Sequence, residues 1–446
     1  MSRDAAPDAL RECHEIPNLR ATYFHNVEDW HLQQIGTLPE LTWAHFTGTG
    51  GPPGSLSGRG LNGLTRFPKL EIIVFWYVPL RQPSDYDWID SVASLKGLEL
   101  YDTGVPESAI LGLRRLRQLE SFGFRGSELT DAGVREIATW PNLQHLHLHG
   151  QVTDAGVAAL RGLTRLKSLG LSGPNVSDAG LSQLSSMTEL ESLTLDGTSL
   201  SDRGIKSFPT ARLTTLNLNG TRVSSQGIKS ILSDASVLKQ LHLARTQVDD
   251  DCLAAIARID TLTFLDLSGT QITNAGLVPL ANASQMESLR LDNTKVSDVG
   301  LAHLGGLAKL SSLYLDSTSV TKAGLRHLSR LVNLNQLPRQ MSSDLSESDV
   351  LQIRGLTKLT TLDLSEDFTD DGLALLQDFE SLSSLKLARS SVTDAGIAAL
   401  KHHQHLYSLD LSGTSISDQA MEFIAQFPAL SSVSLNDTAI SEAGIG

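Results

Sequence analysis

The chain has little cysteine: Cys13 and Cys252 are its only two in 446 residues. A pair so far apart makes no disulfide framework, which favours a reducing compartment. Positive charge is also short. Lys and Arg number 36 against 50 Asp and Glu, for a formal net charge of −14. Phosphate backbones and anionic membrane surfaces both select basic surfaces, so neither nucleic acid nor membrane is expected as a partner. No apolar run approaches the roughly 18 residues of a membrane span. The first residues, MSRDAAPDALRECHEI, contain no apolar segment of a signal peptide. The expected location is therefore cytoplasmic, with secretion lacking a cleavable signal left open. Catalytic constellations are missing as well. No Ser–His–Asp or Cys–His arrangement can be assembled by spacing, and no cofactor motif occurs, so neither an enzyme nor a cofactor is expected.

What the chain does have is a period. Leucines that open an LxxLxL unit fall at Leu95, Leu119, Leu143, Leu166, Leu190, Leu213, Leu238 and Leu262. Met286 takes the next place, followed by Leu310, Leu334, Leu359, Leu382, Leu406 and Leu430. The 335 residues from Leu95 to Leu430 divide into 14 steps, each close to 24 residues. Weaker copies start at Leu19, Leu41 and Leu70. A typical unit reads LTFLDLSGTQITNAGLVPL, residues 262–280.

Each part of that unit has a physical reading. The LxLx alternation is a short strand with leucines on one face. Thr270, Thr294 and Thr414 end their strands, and stacked threonine hydroxyls are expected to ladder along the loops. Ser/Thr-Asp then offers a helix N-cap. Leucines at steps of three, such as Leu301, Leu304 and Leu307, form the inner stripe of a short helix. One unit cannot bury both faces, so units must stack. Strands sit about 4.8 Å apart and helices about 8–10 Å apart, so the stack is expected to curve with strands inside.

The pattern LxxLxLxxT-x-[IV]-[ST]-D-x-G-[LI] resembles the leucine-rich repeat, most closely its short helix-containing class. The resemblance runs from about residue 19 to 446 and implies an α/β solenoid of about 18 repeats. In that horseshoe a parallel sheet lines the concave side and short helices the convex side. It departs from the family in placing Thr where Asn is usual. The expected division is a capping segment at 1–18, irregular aromatic-rich repeats at 19–94, and regular repeats at 95–446. The resemblance further implies a non-catalytic scaffold that binds a partner protein. An adaptor, an enzyme inhibitor, a bacterial effector or the recognition part of a ubiquitin-ligase system would all fit.

The binding site is sought among the aromatics. Of 23 Phe, Trp and Tyr residues, 11 precede residue 95. Alternation places Ala21, Tyr23 and His25 on the concave face, followed by Trp43, His45 and Thr47. Ile72, Val74 and Trp76 come next, then Gly97, Glu99 and Tyr101. Later strands carry Ser and Thr there. The partner is therefore expected on Tyr23, Trp43, His45, Trp76 and Tyr101, with Arg125, His145, His147 and His149 as a polar rim. The competing reading has residues 76–94 fold back and cover these rings. Histidines at alternate positions on a strand also raise metal chemistry, with a metal-dependent hydrolase at His145–His149 as the alternative class. Their neighbours Ser121, Gly123, Arg125, Ser168, Gly170 and Ser172 supply no further ligand, so no metal is expected.

Three stretches depart from the template. Residues 50–63, with GGPPGS and SGRGLNG, read as a flexible insertion and not a phosphate loop. In the repeat at 334–358, Pro338 and Arg339 occupy strand positions with one extra residue. A bulged strand, a local kink and an inward Met341 are expected; the competing functional reading has Arg339 and Gln340 pushed out for a partner. The final unit ends at Gly446 with Val433, Leu435 and Ile440 short of cover. Either the chain continues or two copies meet end to end.

Overall fold

The computed structural model describes residues 18–48, 56–112, 118–206 and 208–445. The expected capping segment and the first part of the glycine-rich stretch thus lie almost wholly outside the described residues. The chain forms two compact units, Met1–Val223 and Ser224–Gly446.

The first unit carries β1 (Ala21–His25), β2 (Trp43–Thr47), β3 (Ile72–Trp76), β4 (Gly97–Tyr101), β5 (Ser121–Arg125), β6 (His145–His149) and β7 (Ser168–Ser172). The shorter β8 (Ser192–Thr194) and β9 (Thr215–Asn217) follow. Each strand pairs in parallel with the next, in chain order. The second unit carries β10 (Gln240–His242), β11 (Phe264–Asp266), β12 (Ser288–Arg290) and β13 (Ser312–Tyr314). After a gap come β14 (Thr361–Asp363), β15 (Ser384–Lys386), β16 (Ser408–Asp410) and β17 (Ser432–Ser434). This is the architecture of a repeat solenoid, with short α and 3-10 helices returning the chain between parallel strands. The core is the leucine column: Leu146, Leu169, Leu193 and Leu216 in the first unit, and Leu265, Leu289 and Leu385 in the second, are fully buried.

The helical side is locked by a device that the motif D-x-G encodes. In the first unit Thr153 donates its backbone N–H to Asp131 Oδ1 at 2.8 Å and its hydroxyl to Asp131 Oδ2 at 2.6 Å. Thr153 in turn caps its own helix by accepting from the Ala155 N–H. The aspartate that opens one helix therefore holds the N-cap of the next repeat, 22 residues on. Asp154 does the same for Ser177, and Asp178 for Ser201. In the second unit Asp250, Asp298, Asp370, Asp394 and Asp418 repeat the arrangement. The glycine of D-x-G follows from this. A Cβ on Gly156 would stand 2.3 Å from Asp131 Oδ1.

Three expectations are corrected here. The threonines that end the strands do not ladder from repeat to repeat. Thr198 and Thr221 each donate to the carbonyl three residues back in their own turn, and Thr270 and Thr414 do likewise. Ser57 is an ordinary N-cap held by Asp29, and a Cβ on Gly60 would collide with that carboxylate. Residues 57–61 are thus the helical half of a repeat and not an insertion. The 334–358 repeat forms no bulged strand. A 3-10 turn, Arg339–Met341, takes the strand's place and the sheet stops between β13 and β14. Pro338 has no N–H to donate, and Gln340 turns back onto the preceding repeat: its Nε2 reaches the Leu315 carbonyl at 2.5 Å and the Thr318 hydroxyl at 3.2 Å. Met341 is fully buried, as expected; Arg339 is exposed, but Gln340 is half-buried and bonded inward, not pushed out. Gln340→Met removes one donor to the Leu315 carbonyl, which keeps the Thr318 hydroxyl and N–H. It is expected to lower stability by about 0.5–1 kcal/mol, read as a shift of the urea midpoint; an unchanged midpoint would show that Thr318 alone serves that carbonyl.

Candidate functional site

Alternation sorts the aromatics of the first unit into two sets. Phe24, Phe46 and Phe75 point inward and stack, with ring centroids 4.7 Å and 5.1 Å apart. Their neighbours in sequence point out. Tyr23 and Trp43 meet edge to face at 4.9 Å, and Tyr23 lies 5.2 Å from His45. His45 meets Trp43 and Trp76 edge to face at 5.6 Å each, and Trp76 meets Tyr101 at 5.8 Å. The five rings make one strip across β1 to β4. Tyr23 is 54% exposed and Trp76 44%, while Trp43, His45 and Tyr101 are half-buried by one another.

The segment that was the competing cover lies elsewhere. Residues Pro83–Ser91 form a 3-10 helix packed beside Gly58–Leu61, where the Gly58 N–H donates to Asp85 Oδ1. Trp88 from this segment is fully buried and meets the inward Phe75 at 6.0 Å. It closes the core from the helical side and leaves the strip bare.

The rim residues share the strip's face. Tyr23, His45, Val74, Glu99, Gly123, His147 and Gly170 form one register row across the strands. Arg125 and His149 are paired in register and exposed, as is His145. His147 covers Gly170, where a Cβ would stand 2.4 Å from its ring, and its Nε2 is 3.2 Å from the Ser168 hydroxyl. Tyr101 lies likewise over Gly123 and hydrogen-bonds Glu99, whose carboxyl is pushed above its usual range by burial. Glu99 stands on this face as alternation places it, and the two glycines, which nothing in the motif singles out, lie buried beneath the side chains. Tyr77, exposed beside Trp76 in the left-handed region at φ 55°, escapes the alternation because it follows the strand.

Electrostatics on this face are mild. Burial, reinforced by His25, holds His45 below the usual imidazole value, and burial with His145 does the same for His147. Both are neutral at physiological pH and pack as aromatic rings. An unfolded chain takes up those protons first as pH falls. Stability tied to His147 is therefore full above the ordinary value of 6.5 and is lost below it. The urea midpoint is expected to fall between about pH 7.5 and about pH 5.5, and to fall less in His147→Gln. Equal slopes in the two proteins would refute this role for burial. Among the described residues no group of three or more His, Cys, Asp or Glu side chains can hold a metal ion. In the second unit Lys386 Nζ meets Asp363 Oδ2 of the neighbouring strand at 3.6 Å. Asp266 accepts from Ser268 in its own turn, and Arg290 lies over the Tyr314 ring.

The sequence model described as Leucine Rich repeat matches residues 260–281 and 402–425. These segments are leucine-rich repeats, and the fold is the leucine-rich repeat solenoid. Among solved structures, an internalin of Listeria monocytogenes is 21% identical, with 84% of this chain and 88% of that one covered at a TM-score of 0.41. A leucine-rich repeat protein of Leptospira interrogans is 18% identical over 97% and 99%, with a TM-score of 0.43. The structure of a TLR13–ssRNA13 complex is 17% identical over 96% and 69%, at 0.51. No curated protein matches the chain. The leucine-rich repeats of this chain hold two family-model matches, both in the second unit, while the aromatic strip lies in the first.

Proposed function

We propose that the chain is a non-catalytic scaffold that binds a partner protein on the open face of its first unit. The observation that carries this is the five-ring strip from Tyr23 to Tyr101. The core has its own aromatics in Phe24, Phe46, Phe75 and Trp88, so the strip is not needed for packing. A contiguous exposed apolar patch on a folded surface marks an interaction site, and Trp and Tyr dominate binding energy where they occur. The leucine-rich repeat neighbour solved with single-stranded RNA does not bring that ligand to this chain, because a net charge of −14 opposes a polyphosphate. The test is affinity capture from the source cell with the parent chain and with a Trp43→Ala, Trp76→Ala double variant. A protein captured by the parent and lost from the variant supports the reading. If every captured protein is retained by the variant, the strip is not the docking surface.

A further inference from the structure

The strip ends at Tyr101, and the same face continues into an open cavity of about 230 Å3. Tyr101, Arg125, His147, His149, Thr194 and Asp196 line it. Arg125 decides its chemistry. The side chain is 59% exposed, and its ionic contact is a loose one, Nε to Asp102 Oδ2 at 3.5 Å. No side-chain hydrogen bond of Arg125 is found among the described residues. The exposed His149 stands beside it in register, and the hydroxyls of Ser172 and Thr194 complete a set of donors. Asp196, exposed on the far rim, is the one lining residue that opposes an anion.

We propose that this cavity receives a carboxylate of the docked partner, carried on an extended segment whose apolar side chains lie on Trp76 and Tyr101. This rests on the docking reading above. A guanidinium presents paired N–H donors that match a carboxylate, and imidazole and hydroxyl donors can share its oxygens. In a chain with a charge of −14, a donor-rich cationic spot on the open face is the place where an acidic group is complementary. Spacing fixes the motif. The cavity centre lies two to three strands beyond Trp76 and Tyr101, or about 10–14 Å at 4.8 Å per strand. An extended chain advances about 3.3 Å per residue, so the acid stands about three or four residues from the apolar anchor.

The probe is a phage-displayed library of random peptides, selected on the full chain. The enriched consensus is then synthesised with a fluorescent label, together with a version in which Asp or Glu becomes the amide. Enriched peptides are expected to pair an aromatic or aliphatic residue with an acid at that spacing. Their affinity should fall about ten-fold on Arg125→Gln, about ten-fold on amidation, and little further when both changes are combined. The Arg125→Gln urea midpoint should match the parent, since the side chain is exposed. Peptides that lose affinity on Trp76→Ala but ignore Arg125→Gln would overturn the cavity proposal and leave the strip standing. Peptides indifferent to both substitutions, or no enrichment, would overturn both.

Discussion

Replacing Trp76 by alanine is expected to weaken partner binding by about 2 kcal/mol, roughly thirty-fold, without moving the urea midpoint. The argument is geometric. Trp76 leans on His45 and Tyr101 by ring edges at 5.6 Å and 5.8 Å and keeps 44% of its surface exposed. Truncating it removes contact area from the open face and opens no cavity in the core. Trp88, twelve residues on, is the control. It is fully buried against Phe75, and Trp88→Ala is expected to cost about 3–5 kcal/mol of stability. Calorimetric titration of the captured partner and urea unfolding separate the two roles. If Trp76→Ala shifted the midpoint as Trp88→Ala does, the strip would be part of the core; if it bound normally, the docking reading would fall.

The second large effect concerns the aspartate rungs. Gly156→Ala is expected to lower stability by about 2–3 kcal/mol, because its Cβ would lie 2.3 Å from Asp131 Oδ1 and 3.1 Å from Val152 Cγ1. Either two repeats move apart or the rung breaks. Breaking it directly has a similar cause: Asp131→Ala strands the Thr153 N–H and hydroxyl, at about 2 kcal/mol. Asp131→Asn, by contrast, is expected to stay within about 1 kcal/mol of the parent. The chain already contains that solution at Asn274, whose Oδ1 accepts from the Ser297 N–H and whose Nδ2 donates to its hydroxyl. Urea midpoints of the three variants test the order. A Gly156→Ala protein as stable as the parent would show that the repeats have slack at this contact.

Much of the surface was legible in the sequence because it depends on two short periods. A side-chain period of two sends Tyr23 out and Phe24 in, whatever the rest of the chain does. A repeat of about 24 residues brings Trp43, Trp76 and Tyr101 beside it in successive strands, and the register confirms each neighbour. Misreadings arose where a side chain acts on the next repeat. The aspartate of S/T-D-x-G looks like a first-turn acid of its own helix, and the threonine after the strand looks like a ladder residue. Their true partners, one about 23 residues away and one three residues back, differ only in where the hydroxyl and carboxylate reach in space.

By itself the sequence determined the repeat, the fold class and the face on which each strand residue lies, because those follow from local alternation and from a period that stacking must satisfy. Only the tertiary structure decided that residues 83–91 close the core and leave the rings bare, that the sheet stops where Arg339–Met341 turns, and that Tyr101 and His147 cover Gly123 and Gly170. Each of these rests on packing between residues far apart in the chain or on adjacent strands. Such contacts depend on volumes and distances that no single repeat contains.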